Sequence, residues 1–358
     1  MGTIVERKRR NGSTGYTAQI LIKRGGKIVY RQAQTFDRKQ AANAWIKKRE
    51  TELAEPGAIE RENAPKGTLA DAIDKYTETS AKAIGKTKEQ VLRSIKGYPI
   101  AELGCDAIRS DDIVAFGREL HQKMQPQTVG NYMSHLAAIF AIARPAWGYP
   151  LDPQAMKDAS AVMRRLGYTS KSKKRERRPT LAELDKLMTA FKAKRAFRPN
   201  SNPMTHIVAF ALFSTRRQEE ITRIKWADLD ETKSRILVRD MKHPGDKMGN
   251  DTWVNLPPEA MAIIKAMPRV QERIFPHGTD AISAAFTRTC QDLEIDDLRF
   301  HDLRHEGASR LFEMGWQIPN VAAVTGHRTW ASLQRYTHLD QAGDKYENWP
   351  WFEFVTSA

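Results

Sequence analysis

The chain has 358 residues, more than one hydrophobic core usually organises, so two or three domains are expected from size alone. Apolar residues make up 41% and exclude wholesale disorder, while 58 Lys and Arg against 43 Asp and Glu leave a formal charge of +15. That excess points to a polyanionic partner, nucleic acid ahead of an anionic membrane surface. No apolar run reaches the roughly 18 residues of a spanning helix, and the N-terminus lacks the apolar stretch of a signal peptide. Cys105 and Cys290 are the only thiols and form no paired framework, so a cytoplasmic protein is expected.

The first fifty residues carry 13 Lys or Arg and 3 acidic residues, a net of +10, which sets this stretch apart as a module. Tyr16, Ala18, Ile20 and Ile22 alternate with polar residues as in a half-buried strand, and Gly25-Gly26 turns the chain into a second strand, Lys27 to Thr35. Ala42, Trp45, Ile46 and Leu53 then recur at near-helical spacing. A small sheet covered by one helix is predicted over 1–54, with Arg7, Lys8, Arg9, Arg10, Lys23, Arg24, Lys27 and Arg31 offered to DNA phosphates. Residues 55–67, with Pro56, Gly57, Pro65 and Gly67, have linker composition.

Helical stripes follow over 68–166, among them Leu69, Ile73 and Tyr76, then Val129, Tyr132, Met133, Leu136 and Phe140; Ser110 reads as an N-cap ahead of Asp111 and Asp112. A compact helical domain is predicted there. Residues 167–179 are dominated by Lys171, Lys173, Lys174, Arg175, Arg177 and Arg178, a composition that cannot pack. This segment is expected to be a linker lying along the phosphate backbone, making the protein a clamp around the duplex. Thr180 and Glu183 form a capping-box pattern that opens a third domain, 180–358.

The third domain holds the residues that can carry chemistry. Arg216 and Arg217 precede a helical turn ending in Glu220. Arg235 to Asp240 and Thr252 to Leu256 read as two strands, whose connection carries Lys242 and Lys247. His301 and Arg304 stand three apart on one predicted helix, with Leu303, Gly307 and Leu311 toward the core; Gly326-His327 and Tyr336 follow. His301 and His305 have helical metal-ligand spacing, but no further ligand completes a site, and neither metal nor cofactor is expected. Paired guanidiniums suit a phosphodiester, a phenol is an accepted covalent nucleophile, and a lysine on a hairpin can protonate a departing 5′ oxygen. Lys242 is favoured over Lys247 because it directly follows the first strand.

This ordered set resembles the tyrosine recombinase (phage integrase) family: an Arg in a box ending in Glu (Arg217, Glu220), a hairpin Lys (Lys242), His-x-x-Arg (His301, Arg304), Gly-His (Gly326-His327) and a later Tyr (Tyr336). The stretch from Phe300 to Leu339 also resembles the shufflon invertases of that family. The resemblance implies a multidomain, mainly α fold with small β-sheets: an arm-binding module, a helical core-binding domain and a mixed α+β catalytic domain. It implies a site-specific recombinase that cuts DNA through a 3′-phosphotyrosyl intermediate on Tyr336, exchanges strands through a Holliday junction and works as a homotetramer on core and arm-type sites, with accessory DNA-bending or directionality factors as further partners. In that scheme Arg217, Arg304 and His327 hold the phosphate, Lys242 is the general acid, His301 assists proton transfer at the tyrosine, and Glu220 orients His301 or its helix. An integrase of a prophage or genomic island is the leading expectation. A shufflon-type invertase and a DNA-binding factor with decayed catalysis are the alternatives. Thr215 departs from the small residue common in the family and is expected to shift the backbone around Arg217. The tail, with Tyr346, Trp349, Trp351, Phe352 and Phe354, is expected to dock on a neighbouring protomer, with docking on its own domain as the alternative.

Overall fold

The computed structural model describes residues 2–9, 13–63, 67–172, 175–241 and 249–357. The chain divides into two compact units, 1–173 and 174–358.

The first unit begins with an antiparallel sheet of β1 (Thr3–Lys8), β2 (Thr14–Arg24) and β3 (Lys27–Phe36) in sequential order. Gly25 and Gly26 turn between β2 and β3 at φ 56° and 78°, values that residues with a Cβ avoid. Ala18, Ile20 and Tyr30 are buried on one face, and Ala42 of α1 (Lys39–Leu53) is buried with them. On the other face the register aligns Val5, Thr17 and Thr35, and next to them Thr3, Gln19 and Ala33. The centre of the open face is thus short and neutral, with Arg7 opposite Gly15 and Arg31 opposite Leu21 nearer its margins. Two of the cations expected to face DNA also have carboxylate partners at the surface: Arg9 pairs with Asp37 at 2.6 Å and Arg24 with Glu60 at 2.9 Å. Arg10 lies outside the described residues.

The expected linker at 55–67 is partly a structural element. A short helix, α2 (Ala58–Glu62), buries Ile59 with Ile20, Tyr30 and Leu53, and Asn63 Nδ2 donates to Val29 O at 2.6 Å. Pro and Gly punctuate this stretch, but two apolar residues between them suffice to anchor it.

Five helices follow: α3 (Leu69–Thr79), α4 (Lys86–Ile95), α5 (Ser110–Lys123), α6 (Pro126–Trp147) and α7 (Pro153–Arg165). Thr68 and Asp71 cap α3 reciprocally. At α5 the cap position falls on Arg109, whose N–H donates to Asp112 at 2.9 Å, so Ser110 is the first helical residue rather than the cap. The core joins Leu69, Ile73, Ile95, Phe116, Leu136 and Phe140. Cys105 is buried there and Cys290 in the second unit; burial pushes both thiols up to about 11, which leaves them unreactive at neutral pH.

The second unit is built around α9 (Met204–Ser214), buried along its length, after α8 (Leu181–Phe197) with its Thr180–Glu183 capping box. A single helical turn, α10 (Gln218–Ile221), leads to a second antiparallel sheet, β4 (Leu229–Asp230), β5 (Arg235–Val238) and β6 (Thr252–Asn255). Then come α11 (Pro258–Ala266), α12 (Thr279–Asp292), α13 (Asp302–Glu313), α14 (Ile318–Thr325), two 3-10 turns at Trp330–Ser332 and Gln334–Tyr336, and α15 (Pro350–Thr356). Helices α9 and α13 approach so closely that a Cβ on Gly307 would lie 2.0 Å from Leu212 O. Glycine there is a packing requirement. Among the described residues no helix is long and apolar enough to cross a membrane.

Two expectations change in this unit. Part of the basic segment packs: Arg175 pairs with Asp302 at 2.6 Å and Asp297 at 2.8 Å, Arg177 with Glu183, and Arg178 with Glu306 at 2.6 Å and Glu313 at 2.7 Å. Acidic residues on α8, on α13 and just before α13 thus hold three arginines that composition alone assigned to DNA. Lys171 is exposed, and Lys173 and Lys174 lie outside the described residues. The aromatic tail, expected on a neighbour, folds onto its own unit. Phe213 of α9 meets the rings of Tyr346, Trp349 and Phe352 at 5.9, 6.2 and 5.5 Å, and Trp349 Nε1 donates to Asp185 at 2.9 Å. Arg310, buried over the Phe213 ring, binds Asp344 at 2.5 Å and fixes the start of the tail.

Candidate active site

The site grows from the end of α9. Its last turn closes on Thr215 at φ 57°, a left-handed conformation that is costly for a β-branched residue. This bend aims the Thr215 carbonyl at α13, where Arg304 Nη1 donates to it, while Arg304 Nη2 donates to Thr325 O at 2.9 Å. The same Nη2 lies 3.4 Å from His327 Nε2, and His327 Nδ1 is 2.7 Å from Thr325 Oγ1. The guanidinium is therefore fixed in plane by two helix-terminal carbonyls with one edge against an imidazole. The departure at Thr215 keeps the left-handed geometry a glycine would adopt freely, at the cost of strain.

Arg217 caps α10 and shares Glu220 with it. Arg217 Nη1 binds Glu220 Oε1 at 2.6 Å, and the Arg217 N–H donates to Oε2 at 3.1 Å. Arg216, given no catalytic role from sequence, is fully buried: its Nε donates to Ser214 O at 3.2 Å and its Nη2 to Val324 O. Its Nη1 comes within 3.4 Å of Glu220 without a hydrogen bond. The signal for it is the Arg-Arg doublet just before α10. Glu220 thus serves the arginines; no hydrogen bond from it to His301 occurs among the described residues.

Three guanidiniums around one carboxylate leave a surplus of positive charge. Burial pushes Glu220 upward, but Arg216, Arg304 and Arg217 outweigh it and hold the carboxyl below its usual range. Burial, then Arg216 and Arg217, bring Arg304 down to about 9. Burial with Arg304 and Arg217 lowers His301, and burial with Arg304, Arg217 and Arg216 pushes His327 down to about 3. Both imidazoles are therefore neutral at neutral pH, and the field is that of a site prepared for an anion. Arg216, Arg217, Glu220 and His301 line a cleft of about 230 Å³.

Tyr336 opens on a different cavity, of about 220 Å³, lined by Arg178, His305, Ser309, Arg335 and His338. Its ring is buried against Phe312, and its hydroxyl lies 2.7 Å from His305 Nδ1. The imidazole expected at the tyrosine was His301; the structure puts His305 there, one helical turn further along α13. The four-residue spacing of the two histidines is visible in sequence, but it does not say which imidazole reaches the tyrosine. Lys242 and Lys247 lie outside the described residues. Their flanks are fixed: Met241 N–H donates to Asn250 O at 2.8 Å, and Asn250 Nδ2 returns a bond to Met241 O at 2.6 Å.

Residues 177–342 match the model of the phage integrase family. The chain is 31% identical to the shufflon-specific DNA recombinase of Escherichia coli over 288 residues, 76% of this chain and 70% of that protein. It is 26% identical to the integrase of Salmonella phage P22 over 166 residues, 41% of this chain and 42% of the relative. Among solved structures, a lambda integrase dimer bound to a COC′ core site superposes with a TM-score of 0.60 at 18% identity, covering 96% of both chains. This mainly helical chain with two small sheets belongs to the phage integrase family and is a site-specific tyrosine recombinase.

Proposed function

We propose that the chain binds double-stranded DNA and recombines it through Tyr336, with Arg217, Arg304 and His327 as the phosphate clamp. The observation that carries this reading is the Arg304 guanidinium, locked by two carbonyls beside His327 and Arg217 over a single carboxylate. Such a fork is preorganised for the nonbridging oxygens of a phosphodiester and for the charge they gain in the transition state. Tyr336 Oη attacks phosphorus, the bond to the 5′ oxygen breaks, and Lys242 protonates the leaving oxygen. A 5′ hydroxyl of the partner DNA then reverses the step, so strands exchange without an external energy source.

The module at 1–54, extended by α2, is assigned to arm-type DNA sites, residues 68–166 to core-site binding and 180–358 to catalysis. Tetramer assembly is proposed by analogy with a lambda integrase tetramer bound to a Holliday junction, which superposes with a TM-score of 0.57. Integration and excision of a mobile element is the leading activity, because the basic N-terminal module gives a second class of DNA site a place to bind. Inversion is the second reading, favoured by the 31% identity to the shufflon-specific recombinase.

A nicked suicide substrate tests the chemistry. Tyr336→Phe should bind DNA as the parent does and form no covalent adduct. An adduct in that variant would move the nucleophile elsewhere, with Tyr346 the next candidate, although burial and Glu306 hold the Tyr346 phenol strongly protonated.

A further inference from the structure

We infer that His305, rather than His301, takes the phenol proton when Tyr336 attacks DNA, which makes His305 a further catalytic residue of this site. The inference rests on the reading of Tyr336 as nucleophile.

The geometry is specific. Tyr336 Oη and His305 Nδ1 are 2.7 Å apart, and the Tyr336 ring is stacked on Phe312 with centroids 5.9 Å apart and planes 16° from parallel. Packing thus fixes the hydroxyl toward His305. His301 stands one turn earlier, its ring edge-on to that of His305 at 5.0 Å, and it lines the Arg217 cleft instead. A phenol in this pair is the donor, so the imidazole must present a lone pair on Nδ1.

The surrounding charges enforce that state. From the N-cap of α13, His301 opposes an imidazolium; on α13 itself Arg304 opposes it while Asp302 favours it, and from the 3-10 turn Arg335 opposes it. Arg175, Glu176, Arg178 and His338 line the rest of the cavity. Burial is the largest influence, and together these bring His305 down to about 4, so the ring is neutral at neutral pH. Burial also raises the Tyr336 phenol, against the pull of Arg335, Arg304 and Arg178, so the hydroxyl does not ionise unaided.

In the step itself the Oη–H bond breaks as Oη–P forms, and the proton passes to His305 Nδ1. The electron pair of the breaking P–O5′ bond leaves with the 5′ oxygen, which takes its proton from a separate donor. The resulting imidazolium is a strong acid for the same reason the neutral ring is a weak base. It is therefore well suited to return its proton to Oη when the phosphotyrosine is displaced, which is the half of the reaction that needs a good donor.

The test uses the full chain and a nicked suicide substrate, with adduct formation followed in single turnover from about pH 6 to about pH 10. His305→Asn places an amide oxygen near the Nδ1 position, so it can accept the hydrogen bond but cannot take the proton. His305→Phe removes both functions. Both variants should bind DNA and melt as the parent does, yet cleave about 100-fold more slowly at neutral pH. The deficit should shrink about tenfold per pH unit toward the ionisation of the phenol, and a fluorinated tyrosine at 336 should recover much of it in H305N. His301→Asn should keep the parental pH profile. If H305F does not fold, H305N carries the test.

Parental rates with an unchanged pH profile in H305N would overturn the inference. So would cleavage faster than the parent, which would make the bond a restraint, or the new pH dependence appearing in H301N. Adduct in Y336F would bring down the nucleophile assignment and this inference together; an adduct-free Y336F beside an unaffected H305N would overturn this inference alone.

Discussion

Arg304 and Tyr336 are held by different means. The Arg304 guanidinium is buried and bonded to the backbone carbonyls of Thr215 and Thr325, at the ends of two helices. The Tyr336 hydroxyl is bonded to one side chain, His305, and its backbone belongs to a three-residue 3-10 turn. A group that must present charge to a phosphate gains from having no freedom, because reorganisation during the reaction would cancel part of its effect. A nucleophile that forms and breaks a covalent bond needs a partner that can take and return its proton, and a single side chain can do both. The proposed clamp therefore belongs to the core, and the proposed nucleophile to a short turn attached to it.

If the clamp is rigid because α9 is packed from both sides, the largest effect should come from removing that packing. Truncation after Asp344 takes away Tyr346, Trp349 and α15, and with them three ring contacts of Phe213, two residues before Thr215. Denaturant unfolding of the isolated chain should show a loss above the about 3–5 kcal/mol of one core aromatic. Unchanged melting would mean that a neighbouring protomer, not its own unit, holds the tail.

The clamp itself comes next. Arg217→Ala should cost about 3 kcal/mol of transition-state stabilisation, read as a 10²–10³-fold slower adduct formation at saturating DNA. Arg304→Lys keeps the charge but loses the fork that spans two carbonyls, and a comparable loss is expected. Parental cleavage in R304K would show that charge alone matters and that the locked geometry does not.

Gly307→Ala probes the same helix contact without touching a charged group. Its Cβ would meet the Leu212 carbonyl at 2.0 Å, a backbone atom that cannot swing aside, so α13 must move off α9. Overpacking of this kind costs about 1–3 kcal/mol, and because Arg304 rides on α13 the cleavage rate should fall with the stability. Loss of stability with full cleavage would uncouple the clamp from the helix pair.

Much of this site was legible in sequence because its parts lie at helix boundaries, where residue type and position are tightly linked. Arg217 before α10, His301 before α13, and Gly326 after α14 follow that pattern. What was not legible depended on side-chain partners far away in sequence. The basic run read as unable to pack because Asp302, Glu306 and Glu313, more than a hundred residues later, could not be seen to meet Arg175 and Arg178. The choice between His301 and His305 likewise turned on where the 3-10 turn delivers Tyr336, which periodicity does not encode.

The smallest expected effect is at Thr215, and it separates the backbone from the side chain in the making of the clamp. At φ 57° a threonine bears strain of about 1–2 kcal/mol that glycine does not. Thr215→Gly would remove that strain, but it also deletes the buried Cβ and methyl, worth about 0.8 kcal/mol each, and frees the unfolded chain by about 0.5–1 kcal/mol. These terms largely cancel, so unfolding should change by no more than about 1.5 kcal/mol. Cleavage should hold as well, because Arg304 binds the carbonyl of residue 215, and that oxygen remains. The Thr215 hydroxyl lies 3.4 Å from Arg216 Nη2, a contact too long to position a guanidinium already bonded to Val324 O. A T215G variant that folds normally yet cleaves tenfold more slowly would show that this hydroxyl steers Arg216, and that the clamp has three working guanidiniums rather than two.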